Sequence, residues 1–159
     1  MDIRIKNEKE EFHVRSCGIL KQNNKFLIMN VNKQEYYHIP GGHVEIGEDS
    51  KQTVIREIKE EVCCDISKAK LFAIQENFWM KKDVKCHGIE FYYILETNQK
   101  LPDDDYERIE IDKGKENILE FKWVTSENLK NIDLRPSSIK DLLVSGEYKN
   151  GLKYIVNKN

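Results

Sequence analysis

Glu57, Glu60 and Glu61 stand three and four positions apart in the run Arg56-Glu57-Ile58-Lys59-Glu60-Glu61. A helix over this run places the three carboxylates on one face. Upstream lie Gly41-Gly42 and then Glu48. Glycine lets a backbone carbonyl approach whatever the carboxylates hold. Carboxylates and carbonyls are hard oxygen donors, which magnesium and manganese prefer. The chemistry that needs such a platform is attack of water on a diphosphate, where charge on the phosphate oxygens must be shielded and a water placed in line. Like charges at these spacings cost a helix only ~0.2–0.5 kcal/mol per pair, so the six residues alone would be an ordinary solvated face. The glycine pair and Glu48 at fixed gaps set them apart.

The elements that must position these groups follow from the pattern. Residues 12–20 alternate at their start and read as a strand; 25–31 (KFLIMNV) is a second, joined to it through the turn Gln22-Asn23-Asn24 as a hairpin. Residues 35–39 read as a short strand that Pro40-Gly41-Gly42 breaks. Residues 49–62 read as a helix capped by Asp49 or Ser50, with Val54, Ile55, Ile58 and Val62 as its buried stripe. Residues 71–80, 88–96 and 118–124 are rich in aromatic and β-branched types and read as strands. Residues 97–117 are polar and read as a long loop or irregular hairpin. Ser126 is placed to cap a short helix, and Pro136 to open another that ends near Gly146. Strands around one long helix give an α/β or α+β sandwich on a mixed sheet, a single domain over 1–159 with its core at about 10–145.

Composition narrows the partners. With 39% hydrophobic and 34% charged residues in 159, the chain is polar but able to form a core. A net charge of −2 argues against a broad nucleic-acid surface. The charged N-terminus gives no secretory signal, and no apolar run approaches the ~20 residues that span a bilayer, so no membrane partner and a cytoplasmic location are expected. Cys17, Cys63, Cys64 and Cys86 form no CxxC pair and read as buried reduced thiols.

The segment from Gly42 resembles the Nudix box, Gly-x5-Glu-x7-Arg-Glu-U-x-Glu-Glu-x-Gly-U with U aliphatic, at residues 42–64. Every charged position matches: Glu48, Arg56, Glu57, Glu60 and Glu61. Residues 36–42 (YYHIPGG) are similar to the family's entry into the box, and 120–124 (EFKWV) to its late tryptophan strand. The resemblance implies a Nudix-like α/β/α sandwich and a Mg2+ or Mn2+ cofactor. It implies Gly42, Glu57, Glu60 and Glu61 as metal ligands, and Arg56 clasping Glu48. The general base varies in the family; Glu60 is one candidate and Glu116, outside the box, another. The box's last glycine is Cys63 here, where a left-handed exit favours glycine, so the helix end is expected to differ, with Asp65 taking the turn.

Outside the box the signals are weaker. The histidines are dispersed, and structural roles are favoured; His43, just after Gly42, has the best claim to substrate. Strand aromatics are more often core, but Trp79, beside Lys81 and Lys82, is a candidate substrate contact. The leading function is a metal-dependent pyrophosphohydrolase of a nucleoside diphosphate linked to another group. A non-catalytic Nudix sensor of a nucleotide or nucleotide sugar is the alternative. An allylic-diphosphate isomerase, which would call on a reactive Cys17 or Cys86, ranks below both. Family markers for ADP-ribose, dinucleoside-polyphosphate and coenzyme A substrates are missing downstream and upstream of the box. Many relatives dimerise, so a homodimer is an expected assembly.

Overall fold

The structure, a computed structural model, describes residues 1–158. Its strands are β1 (Arg4–Lys6), β2 (Glu10–Ile19), β3 (Lys21–Gln22), β4 (Lys25–Val31), β5 (Gly41–His43), β6 (Lys68–Lys81), β7 (Val84–Glu96), β8 (Tyr106–Asp112), β9 (Lys115–Val124) and β10 (Lys153–Lys158). Its helices are α1 (Ser50–Val62), α2 (Ser126–Leu129) and α3 (Ser137–Ser145), with a 3-10 turn at Glu147–Lys149.

Two sheets form. One has six strands in the order β1-β2-β7-β6-β10, with β5 added to β2; it is mixed, because β2 runs parallel to β7 and β10 parallel to β6. The other has four antiparallel strands, β3-β4-β9-β8. Alternate residues along the strands feed two cores. Leu27 and Met29 of β4 join Leu119 and Phe121 of β9, Tyr93 and Leu95 of β7, and Val54, Ile58 and Val62 of α1. Phe26 and Ile28 join Phe72, Tyr92, Leu129 of α2, and Ile139 and Leu143 of α3. The strands thus lie between α1 and the α2–α3 pair, an α/β/α arrangement. Among the described residues no helix is long and apolar enough to cross a membrane.

Several local expectations change. The hairpin partner of β4 is only Lys21–Gln22, since β2 leaves for the other sheet and pairs with β7. Residues 35–39 form single bridges, Met29 with His38 and Tyr37 with Leu134, in place of a strand. The polar stretch holds a true hairpin, β8–β9, in which register hides the apolar alternation between charges. Thr125 caps α2, with its side chain accepting from Asn128 N; Ser126 lies inside the helix. The apolar residues near the end of the chain form β10, which adds a strand parallel to β6. Cys63 is exposed, the other three cysteines buried.

Candidate active site

Helix α1 starts where expected. Asp49 accepts from Gln52 N while the Gln52 side chain accepts from Asp49 N, a reciprocal cap. The helix ends at Cys63, which itself takes the left-handed conformation at φ 57° and ψ 37°. The exit geometry is therefore kept without glycine. Asp65 instead accepts from Lys59 at 2.7 Å.

Arg56 holds the loop to the helix. Its Nε donates to Glu48 Oε1 at 2.7 Å and its Nη2 to Glu48 Oε2 at 2.9 Å. The same guanidinium reaches Glu57 at 2.8 Å, Glu60 at 3.4 Å and the His43 carbonyl at 3.2 Å. Thr53 Oγ1 donates to Glu48 at 2.9 Å. Hydrogen bonding from Arg56, helped by Thr53, pulls Glu48 down to about 2.

Gly41 and Gly42 lie where no side chain fits. A Cβ on Gly42 would come within 2.2 Å of the Glu57 carboxyl carbon, and one on Gly41 within 2.3 Å of the Ser16 carbonyl. The Gly41 N–H donates to Glu61 Oε2 at 3.0 Å. Burial first, then the charge of Glu57, raises Glu61 well above the usual carboxylate range. Burial also raises Glu57, against the pull of Arg56. Glu60 is half exposed.

A cavity of about 680 Å³ opens between the two sheets beside this loop. Glu61, Gly41, His43 and Trp79 line it; Glu57, Glu60 and Glu116 are not among its lining residues. Glu116 is exposed at the far end of β9, paired with the exposed Ile111. The next residue of β8, Glu110, faces the opposite way into the cavity, and burial, then Asp112, raises its pKa. β8 is tied to the site because Arg108 Nη1 donates to the Glu60 and Glu61 carbonyls at 2.7 and 2.6 Å.

Sequence reasoning missed part of this wall. His13 and Arg15 of β2, Gln75 and Asn77 of β6, and Glu90 of β7 share one sheet face with Trp79, and all but Gln75 line the cavity. The signal was there: His13 and Arg15, and again Gln75 and Asn77, put polar side chains two positions apart in strand-like segments, where a buried face should be apolar. Three of the four histidines line the cavity, His13, His38 and His43. Burial, with Arg15, lowers His38 to about 3 and His43 to about 4, so both are neutral. Burial pushes the Cys17 thiol up to about 12 and also raises Cys86, which opposes a reactive-thiol chemistry.

Among the described residues, no three His, Cys, Asp or Glu side chains converge as a preformed metal site. Arg56 draws Glu57 and Glu60, and Gly41 draws Glu61. The donor set nevertheless fits a hard divalent cation. It is all oxygen, it lies beside the Gly41-Gly42 backbone, and burial holds Glu57 and Glu61 against ionising, a penalty that a bound cation would lift.

Comparison with known proteins agrees with this geometry. The family model for the NUDIX domain matches residues 12–143. The chain is 30% identical over 83 residues to an ADP-ribose pyrophosphatase from Methanocaldococcus jannaschii, covering 50% of this chain and 48% of that protein. It thus spans about half the length of this curated relative. Its fold is similar to that of a MutT protein from Bacillus halodurans (15% identity, 89% of this chain and 86% of that one, TM-score 0.67). It is also similar to a MutT NUDIX hydrolase from Burkholderia pseudomallei (17% identity, 84% and 98%, TM-score 0.64).

Proposed function

The chain belongs to the NUDIX family, and on that premise we propose that it is a metal-dependent pyrophosphohydrolase. Its substrate is a nucleoside diphosphate linked to another group, cut by water at phosphorus. The observation that carries this reading is the clasp of Arg56 on Glu48, which sets Glu57 and Glu61 against Gly41-Gly42 at the rim of a substrate-sized cavity.

Glu57, Glu60, Glu61 and the Gly42 carbonyl would hold Mg2+ or Mn2+. When bound, the metal supplies charge to shield the phosphate oxygens and lowers the pKa of a water. The chain supplies the rest. Arg56 orients Glu48 and restrains Glu57 and Glu60 through the same fork. Glu60 and Glu110 are the candidate bases; Glu110 lies in the cavity, and burial raises its pKa, which makes it a better proton acceptor than an ordinary carboxylate. Glu116 could serve only if its strand end turned over. Trp79 and the neutral His43 contact the group beyond the diphosphate.

The test is a panel of nucleoside diphosphate derivatives, ADP-ribose included, with Mg2+ or Mn2+ and product analysis. Release of a nucleoside monophosphate, lost by orders of magnitude in Glu57→Gln and Glu61→Gln proteins of intact fold, is the expected result. Full activity in both variants would overturn the reading. Tight binding without product from any compound would point to a sensor.

A further inference from the structure

Two permanent cations line the cavity, Arg15 and Arg135. Arg135 is committed, donating to Asp133 at 3.1 and 2.9 Å. Arg15 makes no ion pair among the described residues, and its buried Nε has no hydrogen-bond partner. Its register neighbour on β7 is Glu90, on the same face. Yet the Glu90 oxygens are taken by neutral donors, Gln75 at 3.1 Å, Asn77 at 3.2 Å and Tyr92 at 2.6 Å. Burial alone would penalise this guanidinium; Glu90 and Glu61 offset that without bonding to it, so its fork is still open to an anion.

The place of Arg15 says which anion. Its Nη2 donates to the Gly41 carbonyl at 3.1 Å, while the Gly41 N–H donates to Glu61 at 3.0 Å. Guanidinium and carboxylate therefore sit on the two sides of one glycine at the cavity wall. Arginine's planar fork matches phosphate oxygens. We propose that Arg15 is a substrate-binding residue, taking an oxygen of the diphosphate on the guanidinium edge that opens to the cavity, through Nη1, while Nη2 stays on Gly41. This rests on the pyrophosphohydrolase reading and adds a residue outside the box. The diphosphate then lies along Gly41, between Arg15 and Glu61, and the attached group extends over Asn77 and Trp79.

Calorimetry with inorganic pyrophosphate in Ca2+, together with Ca2+ alone, tests this without turnover. Arg15→Gln is expected to weaken pyrophosphate binding about tenfold to a hundredfold, the loss of one charged hydrogen bond or two. Arg15→Lys, which keeps the charge, should lose less. Ca2+ binding alone should hold or tighten in Arg15→Gln, since a positive charge near Glu61 is gone. Unchanged pyrophosphate binding in a variant that melts like wild type overturns the proposal. So does a parallel fall in Ca2+ binding, which makes Arg15 a strut for Gly41, or a wild type that binds no pyrophosphate. Pyrophosphate binding that depends on Arg15, in a protein that hydrolyses nothing, keeps this inference and removes the hydrolase reading.

Discussion

Arg56 grips Glu48 with two hydrogen bonds, Nε to Oε1 at 2.7 Å and Nη2 to Oε2 at 2.9 Å, across the loop that leads into α1. The hydrogen bond holds Glu48 down to about 2 when folded, from 4.5. A depressed carboxylate contributes stability that is full above its unfolded pKa and is lost as pH falls from about 4.5 through about 2. Glu48→Gln is therefore expected to lower stability at pH 7 by about 1–2 kcal/mol. The variant should also lose less than wild type between pH 5 and pH 2. Denaturant melts across that range check it; parallel acid profiles would mean that the pair contributes nothing.

Glu61 behaves with the opposite sign. Its pKa is raised, by burial first and Glu57 second. A raised carboxylate stabilises the metal-free fold at low pH, and that contribution fades as pH rises from the unfolded value through the folded one. A bound divalent cation would restore it by supplying charge. Mn2+ should raise the melting temperature more at pH 7.5 than at pH 5. Metal-free Glu61→Gln should melt above wild type at pH 7.5, with a smaller Mn2+ shift, since glutamine can still accept from Gly41. Equal Mn2+ shifts at both pH values would count against metal binding here.

The box was legible because its information is local. The spacing of Glu57 and Glu61 on one helix, and of Glu48 from Arg56, survives whatever the rest of the chain does. The cavity wall was not, because it needs register: His13, Arg15, Asn77 and Glu90 come from three strands and meet only when β2 pairs with β7 and β7 with β6. Glu110 was hidden for the same reason. Periodicity alone does not say which face of an exposed hairpin turns inward, and Glu116 carried the same chemistry six residues on. β10 escaped notice because its core-facing residues are few; Tyr154 and Val156 are exposed.

Cys63 is a direct test of helix termination. It occupies the left-handed position with an exposed side chain, so little packing would be lost on removing it. Cys63→Gly should stabilise the protein by about 1 kcal/mol, because glycine takes this conformation without steric cost. That corresponds to a melting temperature about 2–4 °C higher. A fall in melting temperature would show that the thiol makes an interaction worth more than the strain. Activity should not change.

Trp79 packs its ring 5.3 Å from that of His13 and lines the cavity, whereas Phe78 stacks at 4.2 Å on His87 of the other face. Trp79→Ala is expected to raise KM about three- to tenfold, the value of one aromatic contact, with kcat little changed. Phe78→Ala should leave KM alone. Equal KM values in wild type and a folded Trp79→Ala protein would remove Trp79 from the substrate site.

Glu110 and Glu116 separate two locations for the general base. Glu110 lies in the cavity on the strand that Arg108 fastens to the end of α1, and its raised pKa comes from burial and then Asp112. Glu116 is exposed, out of register with that face. A base contributes about 10²–10⁴-fold to rate. Glu110→Gln should therefore lower kcat by at least about a hundredfold and remove the acid limb of the pH–rate profile. Glu116→Gln should stay within about twofold of wild type, an exposed residue away from the reacting groups. If Glu110→Gln keeps its kcat while Glu60→Gln loses it, the proton goes to the helix instead. If Glu116→Gln is the variant that fails, the β8–β9 hairpin must turn over during the reaction.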